Sequence, residues 1–177
     1  MNVRQLGQSL SRWLEPYGIH DEPSSDHETL LTDDGHEVRW YITEEDNVFH
    51  VARAERAGSP FEKLQAFDLS DVERFMVLEY GPSLRRKVLP SAPRIRIPFR
   101  IEDIAPGFEL VATPDGPLEA ALMHDGRVRA RFSSYERPSD AVGFSYVANR
   151  TVDDIKATFL ADGGDMFALD PARHPPH

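Results

Sequence analysis

The sequence predicts an α+β fold: a largely antiparallel sheet from two related hairpin–strand–helix units, with a further helix at the N-terminus. Three observations carry this. Apolar and polar residues alternate at period two through residues 36–67 and again through 118–132. A run at helical period follows each of these stretches, opened by Ser70 and by Thr151. Turn formers (Asp34-Gly35, Gly58-Ser59-Pro60, Asp125-Gly126) punctuate both. Turn, hairpin, strand, capped helix and glycine stop thus occur twice in the same order, about 81 or 82 residues apart.

In chain order, Asn2 reads as the N-cap of a first helix whose apolar stripe is Val3, Leu6, Leu10, Trp13 and Leu14. Pro16 ends it, because a helix interior cannot take a residue without an amide hydrogen. Trp13 reads as a core anchor. Residues 20–35 read as a polar connection, with Leu30 and Leu31 a short strand at most. His36–Thr43 and Val48–Ala54 then form a hairpin around the four-residue loop Glu44-Glu45-Asp46-Asn47, and Phe61–Phe67 adds a third strand. Ser70 with Glu73 makes a capping box for a helix that Gly81-Pro82 should stop. In the second unit Leu118–Met123 and Arg127–Phe132 pair, Phe144–Val147 is a third strand, and Thr151 caps a helix ended by Gly163-Gly164.

Between the units lies Pro82–Ile101, PSLRRKVLPSAPRIRIPFRI, with six of the 20 Lys and Arg residues, four prolines and no acid. Within it Arg94, Arg96 and Arg100 alternate with Ile95, Ile97, Phe99 and Ile101, the pattern of an amphipathic strand. The expectation is that this strand joins the units into one sheet, its arginines paired with acids of the first half. The predicted organisation is one α+β domain over 1–170, with units at about 30–81 and 108–163 joined by the connector 82–101. Residues 171–177 form a disordered tail.

Composition narrows the function. At 177 residues with 40% hydrophobic and 28% charged, the chain is long enough to bury a sizeable core. It has no cysteine, which excludes disulfides, thiolate metal sites and thiol catalysis. No apolar run approaches the ~20 residues of a membrane helix, and a cytoplasmic location is expected. The net charge of −10 lies entirely in residues 1–81, which carry 7 basic and 17 acidic side chains; residues 82–177 carry 13 of each. Such an acidic half repels nucleic acid and anionic membrane and speeds association with a basic protein.

No catalytic set is present. The adjacent carboxylates Asp33-Asp34, Glu44-Glu45 and Asp153-Asp154 stand in turns or first helical turns, where acids occur for local reasons. His20 and His27 have acidic neighbours at no metal-ligand spacing, and neither a Gly-x-Ser-x-Gly nor a phosphate loop occurs. The reading is a binding protein without cofactor, metal or catalytic residues.

The runs GHEVRWYITEEDNVFHVARAERA and FEKLQAFDLSDVERFMVLEYGPSLR, followed by Leu89-Pro90, resemble the immunity-factor family paired with NAD-degrading toxins of the tuberculosis-necrotizing-toxin type. The resemblance rests on the Asp33-Asp34-Gly35 turn, the aromatic-rich hairpin, the Asp71-Val72-Glu73-Arg74-Phe75 helix start and the Gly81-x-x-x-Arg85 exit, mostly within residues 30–90. It implies a non-enzymatic antitoxin that binds the toxin's NAD glycohydrolase domain in a 1:1 complex and occludes the NAD site. The expected partner-binding residues are the acidic turns Asp33, Asp34, Glu44, Glu45 and Asp46 with Asn47, and then Arg39 and Tyr41 on the outward strand face. Two other readings stand beside it: a secretion chaperone or adaptor holding an exported partner, and a small-molecule-binding or enzymatic α+β domain.

Overall fold

A computed structural model describes residues 1–113, 118–136, 138–161 and 167. Residues 114–116 of the second-unit turn, Gly163-Gly164 and the C-terminal tail apart from Phe167 lie outside the described residues. The elements run α1 (Val3–Leu14), β1 (Ile19–Ser25), β2 (Glu28–Asp33), β3 (Val38–Glu45), β4 (Val48–Glu55), β5 (Phe61–Ala66), α2 (Leu69–Val88), β6 (Phe108–Ala112), β7 (Ala120–His124), β8 (Arg127–Phe132), α3 (Ser139–Ser145) and α4 (Val152–Leu160). Single 3-10 turns stand at Glu15–Tyr17 and Ile101–Asp103. The fold is α+β, as the sequence predicts, and every strand pairing is antiparallel.

The eight strands form one sheet in the order β1-β2-β3-β4-β5-β8-β7-β6. The two halves of the chain meet at its centre, where Leu64, Gln65 and Ala66 of β5 face Phe132, Arg131 and Ala130 of β8. Period-two alternation sends one side of every strand into the core. Ile42, Val51, Leu64, Phe132 and Ala120 are successive cross-strand neighbours and all buried. Ala66, Ala130, Leu122 and Leu110 make a parallel row. The helices cover this face. Trp40 meets Phe75 and Tyr80 of α2 edge-on, and Phe75, Phe132 and Phe144 continue the aromatic contact towards α3.

Helix α1 starts as the sequence predicts. Asn2 and Gln5 exchange side-chain and backbone bonds in a capping box at 2.9 and 3.0 Å, and the helix ends before Pro16. Its buried stripe lies over β1 and β2, and Trp13 sits half-buried at the core margin. Gly7 is the point of closest approach: a β-carbon there would collide with Thr29 and Asp21.

Several elements differ from the expectation. Residues 19–33 are not a polar connection but the hairpin β1–β2. Its inward residues Ile19, Thr29 and Leu31 are buried under α1, while Asp21 accepts a hydrogen bond from the Thr29 hydroxyl. The β3–β4 loop is two residues, not four, with Asp46 and Asn47 both at positive φ (50° and 60°). Asp68, not Ser70, caps α2 by accepting from the Ser70 amide, and Glu73 instead pairs with Lys156 of α4 at 2.8 Å.

Helix α2 also runs past Gly81-Pro82 to Val88, because buried Leu84 and Arg85 in its last turns outweigh the local breaker. Residues 144–147 are helix end and turn rather than a strand: Phe144, Val147 and Ala148 are all buried, and an apolar run of that length has no distinguishing period. Thr151 does cap α4, accepting from the Asp154 amide at 3.2 Å.

The connector is the largest correction. Residues 92–99 pair with no strand, and the sheet is joined through β5 and β8 instead. Pro93 and Pro98 remove donors that a central strand would need. The alternation has another cause. Ile95 and Ile97 turn inward against the core and Pro98 is buried, while Arg94, Arg96 and Phe99 face out. Among the described residues Arg94 and Arg96 make no ion pair, and Arg100 pairs with its near neighbour Glu102 at 3.9 Å rather than with an acid of the first half. Arg129 of β8 does reach the first half, bonding Asp71 at 2.7 Å.

Candidate functional site

The expected partner-binding residues all lie on β2–β4 and their turns, but strand β3 separates them into three places. At one end stands the β2–β3 turn. Asp33 is half-buried and structural there, its carboxylate accepting from the Glu37 amide at 2.7 Å. Asp34 is exposed and bonds the imidazole of His20 at 2.5 Å. At the other end, seven residue steps or roughly 23 Å along β3, lies the β3–β4 turn. Glu45, Asp46 and Asn47 are exposed at its tip. Glu44 is drawn back: its amide bonds the His27 carbonyl at 2.9 Å and its carboxylate meets the His27 ring at 3.2 Å. The β1–β2 turn, with Asp26, His27 and Glu28, therefore joins the β3–β4 turn in one acidic rim that is anionic by composition.

Arg39 and Tyr41 lie between these ends, on the sheet face that no helix covers. Arg39 donates to the carbonyls of Arg56 (2.5 Å) and Gly58 (3.4 Å), which holds the end of β4. Tyr41 is half-buried between Leu30 of β2 and Ala52 of β4, with Glu62 next in the row. One row along, Thr43, His50, Gln65, Arg131, Ala121 and Val111 run across the sheet. His50 bonds Glu62 at 2.6 Å, linking the two rows. The uncovered face therefore offers a small apolar patch around Tyr41, framed by hydrogen-bonding and charged groups, with an acidic rim at one end.

The His–carboxylate pairs of His20, His27 and His50 are separate, and no metal-holding group of three His, Asp or Glu occurs among the described residues. Among the described residues, the carboxyl with the most altered acidity is elsewhere. Glu79 of α2 is pushed up to about 7 by burial and by Asp140, against the pull of Lys63 and Arg53. Asp71 is also raised, burial outweighing the guanidinium groups of Arg129 and Arg74 that bond it.

Comparison with known proteins gives the family and the fold. Residues 13–165 match the family described as Immunity protein 61. The chain belongs to this family. It is 24% identical over 169 residues to the "Immunity factor for TNT" of Mycobacterium tuberculosis (strain ATCC 25618 / H37Rv), covering 93% of both chains. The "Immunity factor for TNT homolog" of Mycobacterium bovis (strain BCG / Pasteur 1173P2) matches equally. A solved structure of Rv3902c from M. tuberculosis superimposes with a TM-score of 0.76 at 23% identity, over 91% of this chain and 92% of that one. It shares the fold.

As a member of Immunity protein 61, the chain carries the family membership that the hairpin and α2 motifs point to, and the match spans both halves rather than residues 30–90 alone. The sequence singles out Tyr41 and Arg39 but not their neighbours Leu30, His50, Glu62 and Arg131. Seeing those requires β2 to be read as a strand and the β5–β8 junction to be known. For the first, Thr29-Leu30-Leu31-Thr32 shows no clean period-two alternation, and Thr32 is buried along with Thr29 and Leu31. No local signal exists for the second.

Proposed function

We propose that this immunity protein is a non-enzymatic antitoxin that binds the NAD glycohydrolase domain of a TNT-type toxin one to one and occludes its NAD site. The observation that carries the reading is the family match over residues 13–165, together with two relatives named as immunity factors for TNT that align over 93% of the chain. The chain acts as one domain in the cytosol, where NAD is consumed if the toxin is free. The acidic rim of Glu44, Glu45, Asp46 and Asn47, with Asp33 and Asp34 at the far end, and the uncovered face around Tyr41 and Arg39 are the proposed contacts. A pocket built for pyrophosphate concentrates N–H donors and positive charge. Exposed carboxylates suit such a pocket and raise the rate of encounter with it. Tyr41 supplies the kind of aromatic anchor that dominates interface energetics.

The test is NAD hydrolysis by a TNT-type toxin domain titrated with this protein. Loss of activity reaching its limit at one equivalent is expected. Binding without inhibition at stoichiometric excess removes the antitoxin reading.

A further inference from the structure

The connector carries groups that neither the fold nor the toxin contact uses. Arg85, 2% exposed, donates from Nε to the Pro93 carbonyl at 3.0 Å and from Nη1 to the Phe159 carbonyl at 3.0 Å, so the start of the strap is tied to both α2 and α4. Ile95 and Ile97 hold its middle against the core. Between these anchors, from Arg94 to Phe99, no backbone amide or carbonyl has a hydrogen-bond partner among the described residues. Unpaired main chain held in place by its side chains can take an added extended segment, as a sheet edge does in β-augmentation.

The side chains add a charge requirement. Arg94 and Arg96 point outward at alternate positions, without an acid partner among the described residues, although the first half of the chain carries a net −10. Beyond them Phe99 is 59% and Ile101 42% exposed, two apolar side chains close together on an anchored segment. Phe99 stands between two shallow hollows of about 450 and 630 Å³, the first walled by Arg96 and Ile97, the second by Ile101 and Tyr135.

We infer that the strap Arg94–Ile101 is a second binding site, which takes an extended acidic polypeptide segment of a protein partner. Main-chain amides and carbonyls pair along Arg94–Ile97, and carboxylates at every second residue of the segment meet Arg94 and Arg96. Alternate residues of the bound extended segment recur at roughly 6.6 Å, so its carboxylates stand on one side, towards the two alternate arginines. An apolar side chain then fills the hollow beside Phe99. The unpaired amides and carbonyls select a peptide over a phosphate backbone, because an extended main chain offers both donors and acceptors whereas phosphate offers acceptors alone.

The experiment uses the full chain and a fluorescein-labelled peptide of alternating glutamate and valine, followed by anisotropy and by amide exchange. Saturable binding that protects the amides of Arg94–Ile97 is expected. Replacing the peptide's glutamates by glutamine, or methylating its alternate backbone nitrogens, should weaken binding about tenfold or more. Arg94→Glu with Arg96→Glu should do the same at unchanged melting temperature, Arg94→Lys with Arg96→Lys should retain most affinity, and Phe99→Ser should weaken it independently of charge. No binding, equal binding of the glutamine peptide, or an unaffected charge-reversal variant overturns the inference. Displacement of the peptide by an equal concentration of oligothymidylate reassigns the strap to phosphate and overturns it too. None of these outcomes bears on inhibition of the toxin, which is measured separately.

Discussion

Gly81 of α2 lies so close to the ring of Phe159 in α4 that a β-carbon at residue 81 would stand 2.5 Å from its Cε2 atom. The glycine is therefore where the two helices cross, not where the first one stops. Gly81→Ala should destabilise the protein by about 1–3 kcal/mol through overpacking, although alanine is the better helix former. Urea unfolding measures this, and Phe159→Leu in the Gly81→Ala background should recover part of the loss. A neutral or stabilising Gly81→Ala would show that α4 can move away from α2 without cost.

Glu79 predicts a pH dependence. Its folded pKa of about 7 lies above the ordinary 4.5, so the folded state holds a proton there that the unfolded chain gives up. The contribution to stability is present in full below about pH 4.5 and is lost as pH rises to 7. Glu79→Gln removes the charge, so relative to wild type it should gain on the order of 2–3 kcal/mol between pH 5 and pH 8. Comparing the two proteins at each pH cancels the histidine–carboxylate pairs, which both share. Parallel stability curves would contradict the assignment.

Asp71, 1% exposed, receives Arg74 and Arg129 at 2.7 Å each, and Arg74 goes on to the Arg150 carbonyl at the same distance. The carboxylate thereby ties the start of α2 to β8 and to the turn before α4. Asp71→Ala leaves two half-buried cations without the carboxylate that balances them and should cost about 3–5 kcal/mol. Adding Arg129→Met should return part of that in thermal unfolding. A cost below about 1 kcal/mol would mean that water replaces the carboxylate freely.

The two ends of β3 can be separated by kinetics in the proposed toxin complex. Glu44→Lys and Glu45→Lys with Asp46→Asn reverse the rim while keeping a residue that tolerates the positive φ at position 46. Asp34→Lys alters the opposite turn and releases His20. Whichever end faces the toxin should show an association rate about tenfold lower at low salt, with the difference shrinking as salt is added. Unchanged rates for both sets would remove the acidic turns from the interface. Tyr41→Ala should act on dissociation instead, costing about 2 kcal/mol of affinity if the uncovered face is buried there.

What could be read from the sequence followed from how local its cause was. Asn2, Thr151 and the alternation through Trp40 and Val51 act within a few residues, and α1, α4, β3 and β4 stand where those signals place them. The pattern in Arg94–Ile101 was equally clear, yet alternation only says that one side is buried. It does not say whether a sheet or a helix layer buries it. The β1–β2 hairpin has no comparable signal because its inner face is short and mixed, with Asp21 and Thr29 satisfying each other beneath α1. The candidate site shares that limit. Its acidic tips are visible as residues, but the distance between them is a property of β3's length, and Tyr41's neighbours depend on strand pairings the sequence does not print.

The β5–β8 junction has a consequence for how the protein is made. Synthesis delivers β1–β5 and α2 before β8 exists, so the nascent first half emerges with β5 as a raw edge and Phe75 without Phe132 to meet it. Such an edge invites pairing with whatever strand comes near. A chain broken off after α2 should therefore accumulate as insoluble aggregate, whereas the same fragment co-translated with residues 92–177 regains the partner that closes it. The last strands to leave the ribosome act, in effect, as the first half's own chaperone.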